Sequence, residues 1–146
     1  MGRGLMFLDA SVVAAVLLQE EDGPAFLKAM EAARGTLRYS PIVRLEATLA
    51  LVRKRVERRG KGPATAEDFA AATDLVDELL KALEAKEMHI TGSMGAEAIR
   101  ALSVYGKVVG HPAQLNMGDA LSYACAKGFH VPLLYKGDDF SQTDLA

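Results

Sequence analysis

The sequence predicts an α/β fold built on a mostly parallel sheet. Short β-prone runs recur at Leu5–Leu8, Thr36–Ser40, Met88–Thr91 and Val131–Tyr135, and stretches with helical apolar spacing separate each from the next. Strands joined through helical crossovers pair in parallel, which gives a layered α/β sandwich rather than a barrel or a bundle. The first run also passes straight into a carboxylate, Asp9, and then into a helical pattern. Ligands gather at the carboxyl edge of such sheets, so Asp9 is where a site would start.

Residues 10–20 continue as a helix, and Glu20-Glu21-Asp22-Gly23-Pro24 punctuates before a second helix over 24–34 that Gly35 ends. Thr36–Ser40 alternates with period two, and Ser40-Pro41 pairs a hydroxyl cap with a first-turn proline. The helix over 41–60 carries Ile42, Leu45, Leu49, Val52 and Val56 as one apolar stripe. Glu46 lies on that stripe, which carries its carboxylate toward the sheet side, where a buried charge needs a partner.

Arg53, Lys54, Arg55, Arg58, Arg59 and Lys61 are six of the 17 basic residues, crowded at the end of this helix. Cations are favourable at a helix carboxyl terminus, and a solvated helix end accounts for them; contact with an RNA backbone, through Arg53, Lys54, Arg58 and Arg59, is the other reading. Thr65 with Asp68 three residues on resembles a capping arrangement for a helix over 65–87, with Phe69, Ala72, Val76, Leu79, Leu80 and Leu83 facing inward. A strand at Met88–Thr91 and a helix over 94–106 follow. Asn116 caps the helix Met117–Lys127, with Asp119 in its first turn. Val131–Tyr135 forms the last strand, and Lys136-Gly137-Asp138-Asp139-Phe140 turns off its carboxyl end.

The 146 residues are 50% hydrophobic and 25% charged, the size and balance of one domain, 1–146. A net charge of -2 and a pI near 5.9 exclude a global basic footprint, so nucleic acid would have to be met by a local patch or through metal ions. Cys125 stands alone, reads as a small buried hydrophobe, and forms no zinc spacing with the histidines. Arg3, Leu5–Leu8 and Val12–Leu18 superficially resemble a signal peptide, but Asp9 and Ser11 interrupt the apolar run, which points to a folded, cytoplasmic start.

Each acidic residue has a structural explanation when taken singly. Asp9 could cap a helix, Asp119 could favour a helix amino terminus, Glu46 could pair with Arg44 or Arg100, and Asp138 and Asp139 could be turn residues. Together they meet at one layer: Asp9 and the Asp138-Asp139 pair follow apolar strands, and Glu46 and Asp119 lie early in helices. Clustered carboxylates repel unless cations neutralise them, and oxygen-only donors suit Mg²⁺ or Mn²⁺. Such ions promote phosphodiester hydrolysis by binding the phosphate oxygen, acidifying water and stabilising the leaving oxygen.

The segments Phe7-Leu8-Asp9-Ala10-Ser11, Ser40-Pro41-Ile42-Val43-Arg44-Leu45-Glu46, Leu115–Ala124 and Pro132–Asp144 resemble, in order and spacing, the PIN domains of VapC-type toxin ribonucleases. The resemblance implies a three-layer α/β/α fold and endonucleolytic cleavage of structured RNA, often transfer or ribosomal, dependent on Mg²⁺ or Mn²⁺. It makes Asp9, Glu46 and Asp119 catalytic metal ligands, with Ser11 supporting Asp9. Gly137 falls where many PIN domains carry their last aspartate, so Asp138 or Asp139 must substitute, with Asp138 slightly preferred. The same resemblance implies a homodimer and a cognate VapB-type antitoxin.

Haloacid-dehalogenase-like phosphatases also begin with a strand ending in aspartate, but they need a second aspartate where this chain has Ser11. Receiver domains need an early acidic pair and give no reason for Glu46. A PIN-like module that binds a partner or RNA without cleaving it is the alternative from outside enzymology.

Overall fold

The computed structural model describes residues 4–60 and 62–145, so Arg3 and Lys61 lie outside the described residues. Strands β1 (Met6–Leu8), β2 (Leu37–Tyr39), β3 (Lys86–Glu87) and β4 (Leu133–Leu134) form a wholly parallel sheet in the order β3-β2-β1-β4. Met6 pairs with Leu37, and Phe7 with both Arg38 and Leu133, which makes β1 a central strand. Phe7, Leu8 and Leu37 are fully buried, as expected of a parallel sheet covered by helices.

The helices are α1 (Ala10–Leu17), α2 (Gly23–Ala32), α3 (Pro41–Arg59), α4 (Ala66–Ala82), α5 (Gly92–Tyr105) and α6 (Met117–Gly128). α1 packs against α2 and α3, α3 against α4, and α5 against α6, which also touches β1 and α3. The main core gathers Phe7, Leu8, Val12, Val13, Val43, Leu51, Val76 and Ala124. A smaller cluster of Ala101, Ala113, Leu115, Tyr123 and Phe140 secures the segment after β4.

Several helix ends follow the local chemistry of the sequence. Ser40 accepts the Val43 N–H at 3.3 Å ahead of Pro41, and Thr65 with Asp68 closes a reciprocal capping box. Asp68, almost wholly buried, also receives Arg55 at 3.2 Å and Arg59 at 2.7 Å, tying the end of α3 to the start of α4.

Two expectations are corrected. The helix expected over 65–87 stops at Ala82, Glu84 turns with φ +54, and the strand expected at Met88–Thr91 begins at Lys86 instead. No glycine or proline marks that break; pairing of Arg38 with Lys86 and Tyr39 with Glu87 overrides the helical propensity of the local residues. Secondly, α3 buries only Val52 of the expected stripe: Ile42, Leu49 and Val56 are half-buried and Leu45 is 50% exposed, while Val43, Ala47, Thr48 and Leu51 face inward beside Val52. α3 packs against α1 and α4 at once, so its buried face is broad and is centred on the small Ala47 rather than on the row of longest side chains. Phe69 likewise lies 40% exposed on α4.

Candidate active site

Asp9 leaves β1 with extended backbone and serves as the N-cap of α1. Its N–H donates to the Leu134 carbonyl at 3.0 Å, so the end of β4 fixes the end of β1. The side chain is 5% exposed and accepts from three donors. Oδ2 receives the Ser11 N–H at 3.1 Å and the Ser11 hydroxyl at 2.6 Å, while Oδ1 receives the Ser122 hydroxyl at 2.7 Å. Ser11 Oγ in turn accepts the Lys136 N–H at 3.0 Å, which connects the turn after β4 to the same carboxylate. The Lys136 ammonium pairs with Glu20 at 2.7 Å and Asp22 at 3.1 Å.

Glu46 reaches the site from the second turn of α3, and its carboxylate lies against Gly118 in the first turn of α6. Burial pushes its pKa up to about 7, the negative charges of Asp9 and Asp119 add to the rise, and Arg53 opposes them. Asp119 closes a capping box: its N–H donates to the Asn116 side chain at 2.9 Å, and its Oδ2 accepts the Asn116 N–H at 3.1 Å. Burial raises its pKa to about 6 against that hydrogen bond, and Asp9 and Asp139 raise it further. Neither Arg44 nor Arg100 pairs with Glu46, since Arg44 forks onto Asp77 and Arg100 onto Glu97.

After β4 the chain turns at Gly137, whose φ of +91 is a left-handed conformation that suits glycine. The Asp138 carbonyl accepts from Ser141, and Asp139 opens a 3-10 turn, Phe140–Gln142. Phe140 is 2% exposed and packs on Tyr135 with ring centroids 4.9 Å apart, which anchors the turn. Of the two adjacent aspartates, Asp139 is the one whose charge raises Asp119.

Asp9, Glu46, Asp119 and Asp139 therefore share one electrostatic neighbourhood at the carboxyl edge of β1; burial does most to raise Glu46 and Asp119, and the neighbouring carboxylates add repulsion that a cation would relieve. The donors are all carboxylate oxygens, a set that fits a hard divalent ion. Among the described residues, no three His, Cys, Asp or Glu side chains enclose an ion directly.

The PIN domain family matches residues 6–145. The chain belongs to this family. A VapC ribonuclease of Rhizobium meliloti is 45% identical over 142 residues, 97% of this chain and 99% of that protein. Ribonuclease VapC42 of Mycobacterium tuberculosis is 31% identical over 140 residues, 96% of each chain. The crystal structure of Mycobacterium tuberculosis VapC20, described as a sarcin-ricin loop cleaving toxin, superposes with a TM-score of 0.67 at 15% identity, covering 93% of this chain and 92% of that one. That likeness shows the PIN fold, with the parallel sheet and flanking helices seen here.

In this PIN domain the basic end of α3 divides. Arg59 is engaged by Asp68 and the Pro63 carbonyl, and Lys54 stands 3.6 Å from Glu57. Arg53 and Arg58 are exposed, and the charge of Arg53 lowers the proton affinity of Glu46. Sequence reasoning missed Ser122 and Gly118. A polar residue one turn after Asp119 is the only signal that could have found Ser122, because its partner lies 113 positions away. Among the described residues no helix is long and apolar enough to cross a membrane.

Proposed function

We propose that this PIN domain is a metal-dependent endoribonuclease, the toxin of a VapBC-type toxin–antitoxin pair, hydrolysing phosphodiester bonds in structured RNA such as transfer or ribosomal RNA. The observation that carries the chemistry is the group of Asp9, Glu46 and Asp119, in which burial and the neighbouring carboxylates raise the proton affinity of Glu46 and Asp119, although Asp119 already accepts a backbone hydrogen bond. The VapC ribonucleases that match along nearly its whole length support the same reading.

Asp9, Asp119 and Asp139 would hold Mg²⁺ or Mn²⁺, directly or through water. Bound there, the ion supplies Lewis acidity toward the phosphate and lowers the pKa of a water. Glu46, with a pKa near neutrality, is suited to orient the attacking water and take its proton. Asp139 is preferred to Asp138 as the ligand, because the charge of Asp139 raises Asp119. Arg53 and Arg58 remain the basic residues open to an RNA backbone, whereas Arg59 is held within the fold. The reading places the protein in the cytoplasm as a single-domain homodimer, with a VapB-type antitoxin as its partner.

Purified protein incubated with structured RNA tests this. Cleavage that requires Mg²⁺ or Mn²⁺, stops with chelator and is lost in a folded Asp9→Asn variant is the expected result. RNA binding without cleavage at any metal concentration would favour the binding-module alternative and overturn the proposal, as would full activity in Asp9→Asn.

A further inference from the structure

Ser122 is 1% exposed in the middle of α6, a place where a serine hydroxyl ordinarily folds back onto a carbonyl of its own helix. Here it crosses to β1 and donates to Asp9 Oδ1 at 2.7 Å. The capping task of Asp9 does not call for this bond. Ser11 alone supplies the N-cap contact, and its N–H and hydroxyl together fill both lone pairs of Oδ2. The Ser122 hydroxyl takes one lone pair of Oδ1 and leaves one, so Asp9 has a single acceptor position to offer outward.

The torsion that turns a carboxylate about its last bond is broad, and a carboxylate held on one oxygen can still swing. Donors on both oxygens, from α1 and from α6, remove that freedom. Ser122 also stands three residues after Asp119, one turn along the same helix, so its bond fixes the distance between the strand that carries Asp9 and the helix that carries Asp119.

We infer that Ser122 is a positioning residue, whose hydroxyl aims the one open lone pair of Asp9 and presets the spacing of Asp9 and Asp119 for a divalent cation. This rests on the metal-dependent reading above. Groups that orient metal ligands are worth about ten- to a hundredfold in metal affinity.

The test is calorimetric titration of the full chain with MnCl₂. Ser122→Ala should bind Mn²⁺ at least about tenfold more weakly than wild type while remaining folded, with its melting temperature lowered only by the loss of one hydrogen bond to Asp9 and partly offset by the better helix propensity of alanine. Ser122→Thr, which keeps the hydroxyl, should recover most of the affinity. Affinity in Ser122→Ala within twofold of wild type overturns the inference and leaves the metal site standing. Absence of Mn²⁺ binding by the wild type overturns the metal-dependent reading and this inference with it. Should Ser122→Ala not fold, Ser122→Cys, of similar volume and with a poor donor, takes its place with the same two outcomes.

Discussion

Glu46 and Gly118 occupy each other's space: the Glu46 carboxylate stands where residue 118 would carry a Cβ atom. Both elements are rigid helices, so the missing side chain is what lets α3 deliver a carboxylate to the first turn of α6.

Gly118→Ala should therefore separate stability from function. The group in the way is the far end of a flexible side chain, so Glu46 swings aside at little cost, and alanine favours the helix by up to about 1 kcal/mol. A melting temperature at or above wild type is expected together with RNA cleavage reduced at least about tenfold. A variant that melts lower and cleaves normally contradicts the assignment.

The two raised carboxyls give the metal-free protein a defined pH dependence. Glu46 moves from 4.5 to about 7 and Asp119 from 3.8 to about 6, so the folded state holds protons that the unfolded chain releases. Their contribution to stability is complete below about pH 4 and is lost as pH rises through about 6 and 7. Mn²⁺ affinity should run the other way, strengthening from pH 5.5 to 7.5 as the ligands ionise. Melting curves with and without Mn²⁺ across that range would show the divergence, and a flat difference between them contradicts it.

Asp139→Asn and Asp138→Asn should behave differently although they are neighbours. The charge of Asp139 reaches Asp119, and the buried Phe140 beside it holds it in place. Loss of at least about tenfold in cleavage is expected for Asp139→Asn and near wild-type cleavage for Asp138→Asn. Reversed rates would move the fourth acidic position to Asp138.

Away from the site, Asp68→Asn should lower the melting temperature more than Asp77→Asn. Asp68 has 1% of its side chain exposed and gathers Arg55, Arg59 and the Thr65 N–H, and these hold its carboxyl far below the usual carboxylate range. The Arg44–Asp77 pair is about half exposed, where ion pairs contribute little. Thermal melts of the two variants settle the order.

The parts of this molecule written in local chemistry were legible. Asp9 at a strand end, Ser40 before Pro41, Thr65 with Asp68 and Asn116 with Asp119 all depend on neighbours a few residues away, and each forms the local contact that its spacing suggests. What depends on distant packing was not legible. The inward face of α3 is decided by the helices on either side of it, β3 by its pairing with β2, and the contacts of Ser122 and Gly118 by residues from other elements. Gly137 shows both sides: the resemblance puts it where many PIN domains carry an aspartate, and the structure gives it a φ of +91, a conformation in which an L side chain is strained.

The bond from Lys136 to Ser11 spans 125 positions and that from Ser122 to Asp9 spans 113, so the acidic site cannot form on any local piece of chain. It comes into being with the sheet and dissolves with it, as one cooperative unit. A cation bound there adds its free energy to the global unfolding transition, about 2.7 kcal/mol at a hundredfold excess over Kd. The slowest-exchanging backbone amides of β1 would thus report on occupancy of the site as directly as its own carboxylates do.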